Sequence, residues 1–448
     1  MMGPSGKRFV IAAALGALLV PTPPTRAQEW TRFRGPNGSG ISDTSGIPVA
    51  FTEADYNWRV ALPGAGASSP VLWGRKIFVT SAEEEPGRRH LLCLDAADGH
   101  TLWSHAFPFA RHPKHELNTF ASSTPAVDAD HVYVLWTEPE QASVHALDHQ
   151  GKEIWKRDLG SYHAPYGSGG SPTVVGDVVI VPLDQERLDP TPAGGPPVES
   201  FVIGLDRKMG TIRWKHSYPS GAAGYSTPAL YQPEAGVPEV ICSSTSLGVA
   251  SLDPRTGELN WVASGIFKQR CVASPVIANG RVFQTAGSGG GEKQLVVVRP
   301  GSKQHGRAAQ VEYQIPRDIS YVPTPIAYGD RLFVWGDGGI VTSRKAATGE
   351  VVARERVGGT YYGSPVCVNG KLYAMNTRGE LVVVEASDAL KLLGKSELGE
   401  ESEATPAVAG GVMYLRTMSH LISVGGRIRR HRANWRPADR HEPHSQGD

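Results

Sequence analysis

The dipeptide Ser/Thr-Pro, followed by apolar residues, occurs eight times at nearly even intervals, and no other feature narrows the accessible folds as much. The copies are Ser69-Pro70, Thr124-Pro125, Ser171-Pro172, Thr227-Pro228, Ser274-Pro275, Thr324-Pro325, Ser364-Pro365 and Thr405-Pro406, on average 48 residues apart. Each leads into a turn and a β-branched or aromatic run, as in Gly74 to Val79, Gly176 to Val181 and Gly329 to Val334. Asn279-Gly280 and Asn369-Gly370 are favoured hairpin dipeptides, because both residues accept positive φ. Two antiparallel strands per copy follow, with Pro at the start of the first, where a ladder donor is lost only at the edge.

A second signature completes the unit. It reads Asp95, Gly99, Trp103; then Asp148, Gly151, Trp155; then Asp206, Gly210, Trp214; then Asp253, Gly257, Trp261. Asp can hydrogen-bond the backbone of a tight turn and Gly supplies its left-handed position, so the turn joins a third strand to a fourth that carries Trp. The indole is expected to wedge against the neighbouring blade and bury ~200 Å² rather than to form an exposed sugar-stacking platform. Later copies degenerate: Lys345, Gly349 and Ala353 keep only Gly, and Glu385 to Leu393 loses it. Four strands per ~48 residues without a helical period predict an all-β, eight-bladed propeller of four-stranded antiparallel blades. The last copy, Gly411 to Val424, lacks its own fourth strand. Asn57 to Leu62, with Trp58, is expected to supply it and close the ring, removing exposed sheet edges.

These motifs resemble the quinoprotein-type (PQQ-like) β-propeller repeat over about residues 30–425. The opening Trp30-Thr31-Arg32-Phe33-Arg34-Gly35-Pro36-Asn37-Gly38-Ser39-Gly40 looks like the N-terminal segment of secreted, planctomycete-type members. The family includes quinoprotein alcohol dehydrogenases, with quinone and calcium in a central funnel, and the non-enzymatic BamB propeller, which scaffolds protein contacts. The resemblance implies PQQ with calcium only on the dehydrogenase reading. Those enzymes place two adjacent cysteines against the quinone and a catalytic Asp with a Glu/Asn calcium set on longer insertions. No position here accepts those residues, so neither a catalytic residue nor a cofactor is assigned.

Residues just before each inner strand should gather at one mouth of the channel. The candidate ligand-binding set is His112, His115, Asn118, Tyr166, Tyr225, Arg270, Tyr321, Tyr361 and Tyr362, near Glu401 and Glu403, and suits a polar ligand such as a glycan. His112, His115 and Glu116, with His163 one blade on, are zinc-ligand types. Pro113 breaks the segment and no helical His-Glu-x-x-His is present, so a hydrogen-bonded loop is expected and no metal. Gly287 to Gly291 opens no helix and reads as a turn rather than a phosphate cradle. Leu188 to Val198 reads as a surface loop.

The ends differ from the body. Lys7 and Arg8 precede a 12-residue apolar run, Phe9 to Val20, and Thr25-Arg26-Ala27 offers small residues for cleavage, so residues 1–27 read as a secretory signal. The run is too short to span ~30 Å of hydrocarbon, and no Cys near the cleavage point suits a lipoprotein. The expected plan is signal 1–27, extension 28–56, propeller 57–425 and a basic, disordered tail 426–448. Lys7, Arg8 and Arg26 put +3 in residues 1–27, and six Arg against three acids put +3 in 427–448, which leaves the body at about −5 of a total of +1 and argues against a nucleic-acid surface. A monomeric secreted or periplasmic protein is expected, without a transmembrane segment, whose partners are envelope proteins or polysaccharide. Cys93, Cys242, Cys271 and Cys367 read as buried hydrophobes; of any disulfide, Cys242 with Cys271 is the better pairing.

Overall fold

Eight sheets follow one another along the chain, each built outward from a short inner strand that begins two residues or fewer after a Ser/Thr-Pro pair. The computed structural model describes residues 29–186, 198–234, 236–303 and 305–426. The segment read as a signal, nearly all of the tail and most of the Leu188–Val198 insert lie outside the described residues. Blades one to eight start at Val71–Trp73, Ala126–Val127, Thr173–Val175, Ala229–Tyr231, Val276–Ala278, Ile326–Tyr328, Val366–Val368 and Ala407–Ala409. Every blade is antiparallel, and the outer strand of blade eight is Tyr56–Ala61, which pairs with His420–Gly425 and sets Trp58 opposite Ser423. Blade seven carries one extra strand, Ile41–Ser42, parallel to Val366–Val368. Helix among the described residues is limited to two 3₁₀ turns, Pro36–Gly38 and Glu53–Asp55.

The core is a series of sandwiches between neighbouring blades. Tyr133, Val144 and Trp155 of blade two pack on Val179, Ile203 and Leu205 of blade three, and equivalent clusters recur around the disc. All four cysteines are buried and free, Cys242 and Cys271 included.

The repeated dipeptide has a specific task at the axis. In six of the eight copies the backbone N–H of the Ser or Thr donates to the hydroxyl of the corresponding residue in the next blade: Ser69 to Thr124, Thr124 to Ser171, Thr227 to Ser274, Ser274 to Thr324, Thr324 to Ser364 and Ser364 to Thr405, at 2.8–3.1 Å. An amide buried there without a partner costs about 1–3 kcal/mol. The following Pro brings no donor of its own into the crowded wall. At the closure between blades eight and one, the fully buried Arg416 acts instead, donating to Ser68 Oγ at 3.0 Å, Ser81 Oγ at 3.3 Å and the Thr80 carbonyl.

A second latch lies near the rim. Trp58, Trp103, Trp155 and Trp214 donate their indole N–H to the carbonyls of Ala96, His149, Arg207 and Pro254 at 3.0–3.1 Å. Each acceptor immediately follows the motif Asp of the next blade. The motif Gly lies against the same indole: a Cβ at Gly210 (φ +66°) would stand 2.4 Å from Trp155. The Gly that survives in blade six has the same reason to persist. Gly349 lies on Tyr313 of blade five, whose hydroxyl donates to the Ala346 carbonyl at 2.7 Å, so Tyr313 replaces the missing Trp. Trp261 differs, donating within its own blade to Glu239 at 2.8 Å.

The segment Trp30–Ser42 crosses the channel. Trp30 pairs with Leu72 of blade one, the Thr31 carbonyl accepts from Val127 of blade two, and Asn37 bonds both backbone groups of Leu230 of blade four. Arg34 donates to the Pro325 carbonyl of blade six at 2.9 Å, Arg32 to that of Pro228 in blade four, and Gly40 and Ser42 join blade seven. A strap that touches inner strands on opposite sides must cross the axis; Trp30, Thr31 and Asn37 meet residues within those strands, while the two guanidiniums reach the Pro carbonyls that precede them. Arg32 and Arg34 are sealed in, at 7% and 0% exposure, without an ion-pair partner among the described residues. Burial holds their pKa values down to about 10 and about 9, the Arg34 value also through Arg32.

Trp214→Ala is expected to lower stability by about 3–5 kcal/mol and Tyr313→Phe by about 1 kcal/mol, measured by urea unfolding. At the axis, Thr324→Val keeps the shape but strands the Ser274 amide, at a cost of about 1–3 kcal/mol. A surface position would show a loss near zero.

Candidate functional site

The end of the channel opposite the strap is walled by the loops that lead from each outer strand to the next inner strand. That topology brings Tyr166, Tyr225, Arg270 and Tyr321 to one side. The Arg270 guanidinium stacks on Tyr166, 4.6 Å from its ring centre, and forms an ion pair with Glu186. Glu186 also accepts the Ala223 amide at 3.1 Å. Tyr166 itself is 39% exposed, and His115 meets it edge-on at 5.5 Å. Asn118 fixes the same loop by donating to the carbonyls of Tyr166 at 2.7 Å and Ser168 at 3.2 Å. The Tyr225 hydroxyl is buried and has no protein partner.

The other side is acidic. Asp337 accepts the backbone amides of Tyr321 and Val322 at 2.8 and 2.9 Å and the Lys293 ammonium at 2.7 Å. Tyr362 is half-buried; burial and then the charges of Asp337, Glu403 and Glu116 raise its pKa. Burial, and then repulsion from Glu401, push Glu403 up to about 7, with Lys114 opposing. The mouth therefore combines tyrosine faces and hydrogen-bonding rims with carboxylates that outnumber the cations.

Two of the expected residues stand elsewhere. Tyr361 is fully buried between blades six and seven, with its ring 5.2 Å from Trp335, so it is a core residue and not part of the mouth. Neighbouring residues alternate sides in extended chain, which leaves Tyr362 outward. His112 occupies a side pocket, edge-on to Phe120 at 4.9 Å and bonded to the Ala110 carbonyl at 2.9 Å. Burial keeps its pKa low. Arg89 lies over Phe109 in the same pocket, 4.5 Å from the ring centre. Among the described residues no three of His, Cys, Asp and Glu converge closely enough to hold a metal ion. Glu186, Asp337 and Lys293 went unread in the sequence because their partners lie far along the chain, 84 residues away for the Arg270–Glu186 pair.

Comparison with known proteins places this geometry. The family model described as outer membrane protein assembly factor BamB matches residues 49–191, 90–313 and 267–425. The BamB structure from Moraxella catarrhalis aligns with a TM-score of 0.58 at 13% identity, over 83% of this chain and 98% of that one. A europium-containing methanol dehydrogenase aligns with 0.61 at 12% identity, over 88% and 90%. The quinohemoprotein alcohol dehydrogenase from Comamonas testosteroni aligns with 0.59 at 12%, over 89% and 80%. No curated protein matches the sequence. At such identities the structural likeness is one of fold.

The raised Glu403 value carries a pH dependence. An unfolded Glu titrates near ~4.3, so the folded chain holds this proton more tightly and loses stability as pH climbs from there through 7. Glu403→Gln is expected to raise the melting temperature at pH 8 and leave it unchanged at pH 4, read by thermal unfolding at both.

Proposed function

From the premise that the chain belongs to the outer membrane protein assembly factor BamB family, we propose that it is a non-enzymatic binding or scaffold protein of the cell envelope, using the mouth face of the disc. The observation that carries this reading is the strap. It crosses the channel with two buried guanidiniums and leaves the opposite face, with Tyr166, Arg270, Tyr321 and Tyr362, free of it. A disc face with a polar, tyrosine-bearing centre suits protein or polysaccharide contact, where exposed tyrosines supply area at low entropic cost.

The quinone chemistry of some fold relatives is a poor match for these side chains. The guanidiniums on the axis that could meet a quinone's carboxylates have no exposed face, and the mouth's donor set does not converge as calcium would need. The four cysteines are separate and buried. A cleavable export signal at residues 1–27 remains part of the proposal, as does the monomeric state. No described helix is long and apolar enough to cross a membrane.

The test is capture from an envelope extract with the immobilised disc, alongside a Tyr166→Ala/Tyr362→Ala variant. A protein or glycan retained by the parent and lost by the variant supports the reading. Equal retention would move the surface to the rim or the strap face. Saturable quinone uptake with dye reduction by alcohols would replace the scaffold reading with an oxidoreductase.

A further inference from the structure

Beside the mouth, the side pocket that holds His112 contains a cleft of about 20 Å³, somewhat more than the ~10–15 Å³ that one water molecule takes. Phe120 and Trp136 give it aromatic walls, His112 and Lys114 come from the loop between blades one and two, and Gly167 and Ser168 from the next loop. Its charges are already matched. Arg89 pairs with Glu138 at 3.2 Å and Lys114 with Glu84 at 3.6 Å, so the cleft suits a neutral group.

The polar edges of the cleft fix what that group must offer. The Ala110 carbonyl can only accept, so His112 Nδ1 carries the proton of their 2.9 Å bond, and Nε2 of the neutral ring presents a lone pair. Among the described residues no protein donor meets that lone pair. Lys114 stands 5.3 Å from the centre of the Phe120 ring and keeps N–H groups beyond its contact with Glu84. The Trp136 indole N–H, in a side chain 4% exposed, has no partner. An acceptor and donors beside an aromatic wall match an amide that carries a methyl group. A carboxylate would set its charge against the Nε2 lone pair.

The cleft admits the tip of a substituent and not a sugar ring. Next to it, Tyr166 immediately precedes Gly167 and is 39% exposed, and His115 of the His112 loop meets it at 5.5 Å. Asn118 holds the two loops together through the Tyr166 and Ser168 carbonyls. Together these rings make an aromatic ledge against which the C–H face of a saturated ring can pack.

We propose that cleft and ledge form a subsite for the acetamido group of an N-acetylated glycan. The acetyl methyl lies against Phe120 and Trp136, its carbonyl accepts from Lys114, the amide N–H donates to His112 Nε2, and the sugar ring rests on Tyr166 and His115. This assignment rests on the mouth-face reading and narrows its partner to a polysaccharide.

The test is isothermal titration of the full chain with chitohexaose and with cellohexaose, which share a backbone and differ in bearing acetamido or hydroxyl groups. Saturable binding of chitohexaose is expected, with cellohexaose about tenfold weaker, the difference one amide hydrogen bond makes. His112→Phe keeps a flat ring on Phe120 and removes the lone pair; Lys114→Met keeps the chain and removes the donors. Each is expected to weaken chitohexaose about tenfold and to leave cellohexaose unchanged, and K114M carries the test should H112F fail to fold. Tyr166→Ala is expected to weaken both sugars. No uptake of chitohexaose, equal affinity for the two sugars, or unchanged selectivity in the variants would each overturn the subsite. A protein captured from extract through Tyr166 and Tyr362, with no response to chitohexaose, would overturn it while keeping the scaffold reading.

Discussion

Around the axis of this disc, inner strands are brought so close that each backbone amide there must be met by a neighbour. The Ser/Thr-Pro pair answers that constraint twice. The hydroxyl receives the amide of the preceding blade, and the imino acid adds no further donor to satisfy. The rim repeats the arrangement with an indole or phenol donating to the next blade's turn carbonyl. Where they occur, both latches run in the same direction, from one blade to its successor. Arg416 and Trp58 carry that direction across the closure, from blade eight to blade one. The rest of the architecture depends on this chain of donors.

That chain also explains what could be read in advance. Eight Ser/Thr-Pro pairs and four Asp-Gly-Trp sets encode local turns and nearest-neighbour contacts, and both survive as regular patterns in the sequence. Tyr313 was invisible because the rim latch needs only a flat ring and a donor, which Tyr supplies without the Trp signature; the retained Gly349 was its one trace. The strap was harder still. Its contacts fall on five of the eight blades at irregular intervals, so no period marks it. At the mouth, the repeat sets Tyr166, Arg270, Tyr321 and Tyr362 on the loops that lead into the inner strands, since loop position follows from it. Side-chain direction did not follow, and Tyr361 turned inward beside Trp335. The ionic partners Glu186 and Asp337 depend on pairings between loops that only the closed ring defines.

The two faces divide the labour. On one, Trp30 and two uncompensated guanidiniums are sealed against inner strands, an arrangement whose desolvation cost has to be offset by carbonyl contacts and the buried indole. On the other, charged and aromatic groups remain within reach of solvent. The blade three–four seam joins them, because Arg32 and a cavity at Asp184 meet at Pro228.

The strap and Tyr56–Ala61 belong to the first residues of the described chain, yet Arg416 meets Ser68 across 348 positions. A ribosome thus delivers these residues long before their counterparts exist. Contacts of such sequence separation are slow to form, and the early segment must wait as an unpaired edge until blade eight has been made. The circle is consequently sealed by its oldest and youngest parts together, and a truncated product of this gene would leave an adhesive, open arc rather than a smaller disc.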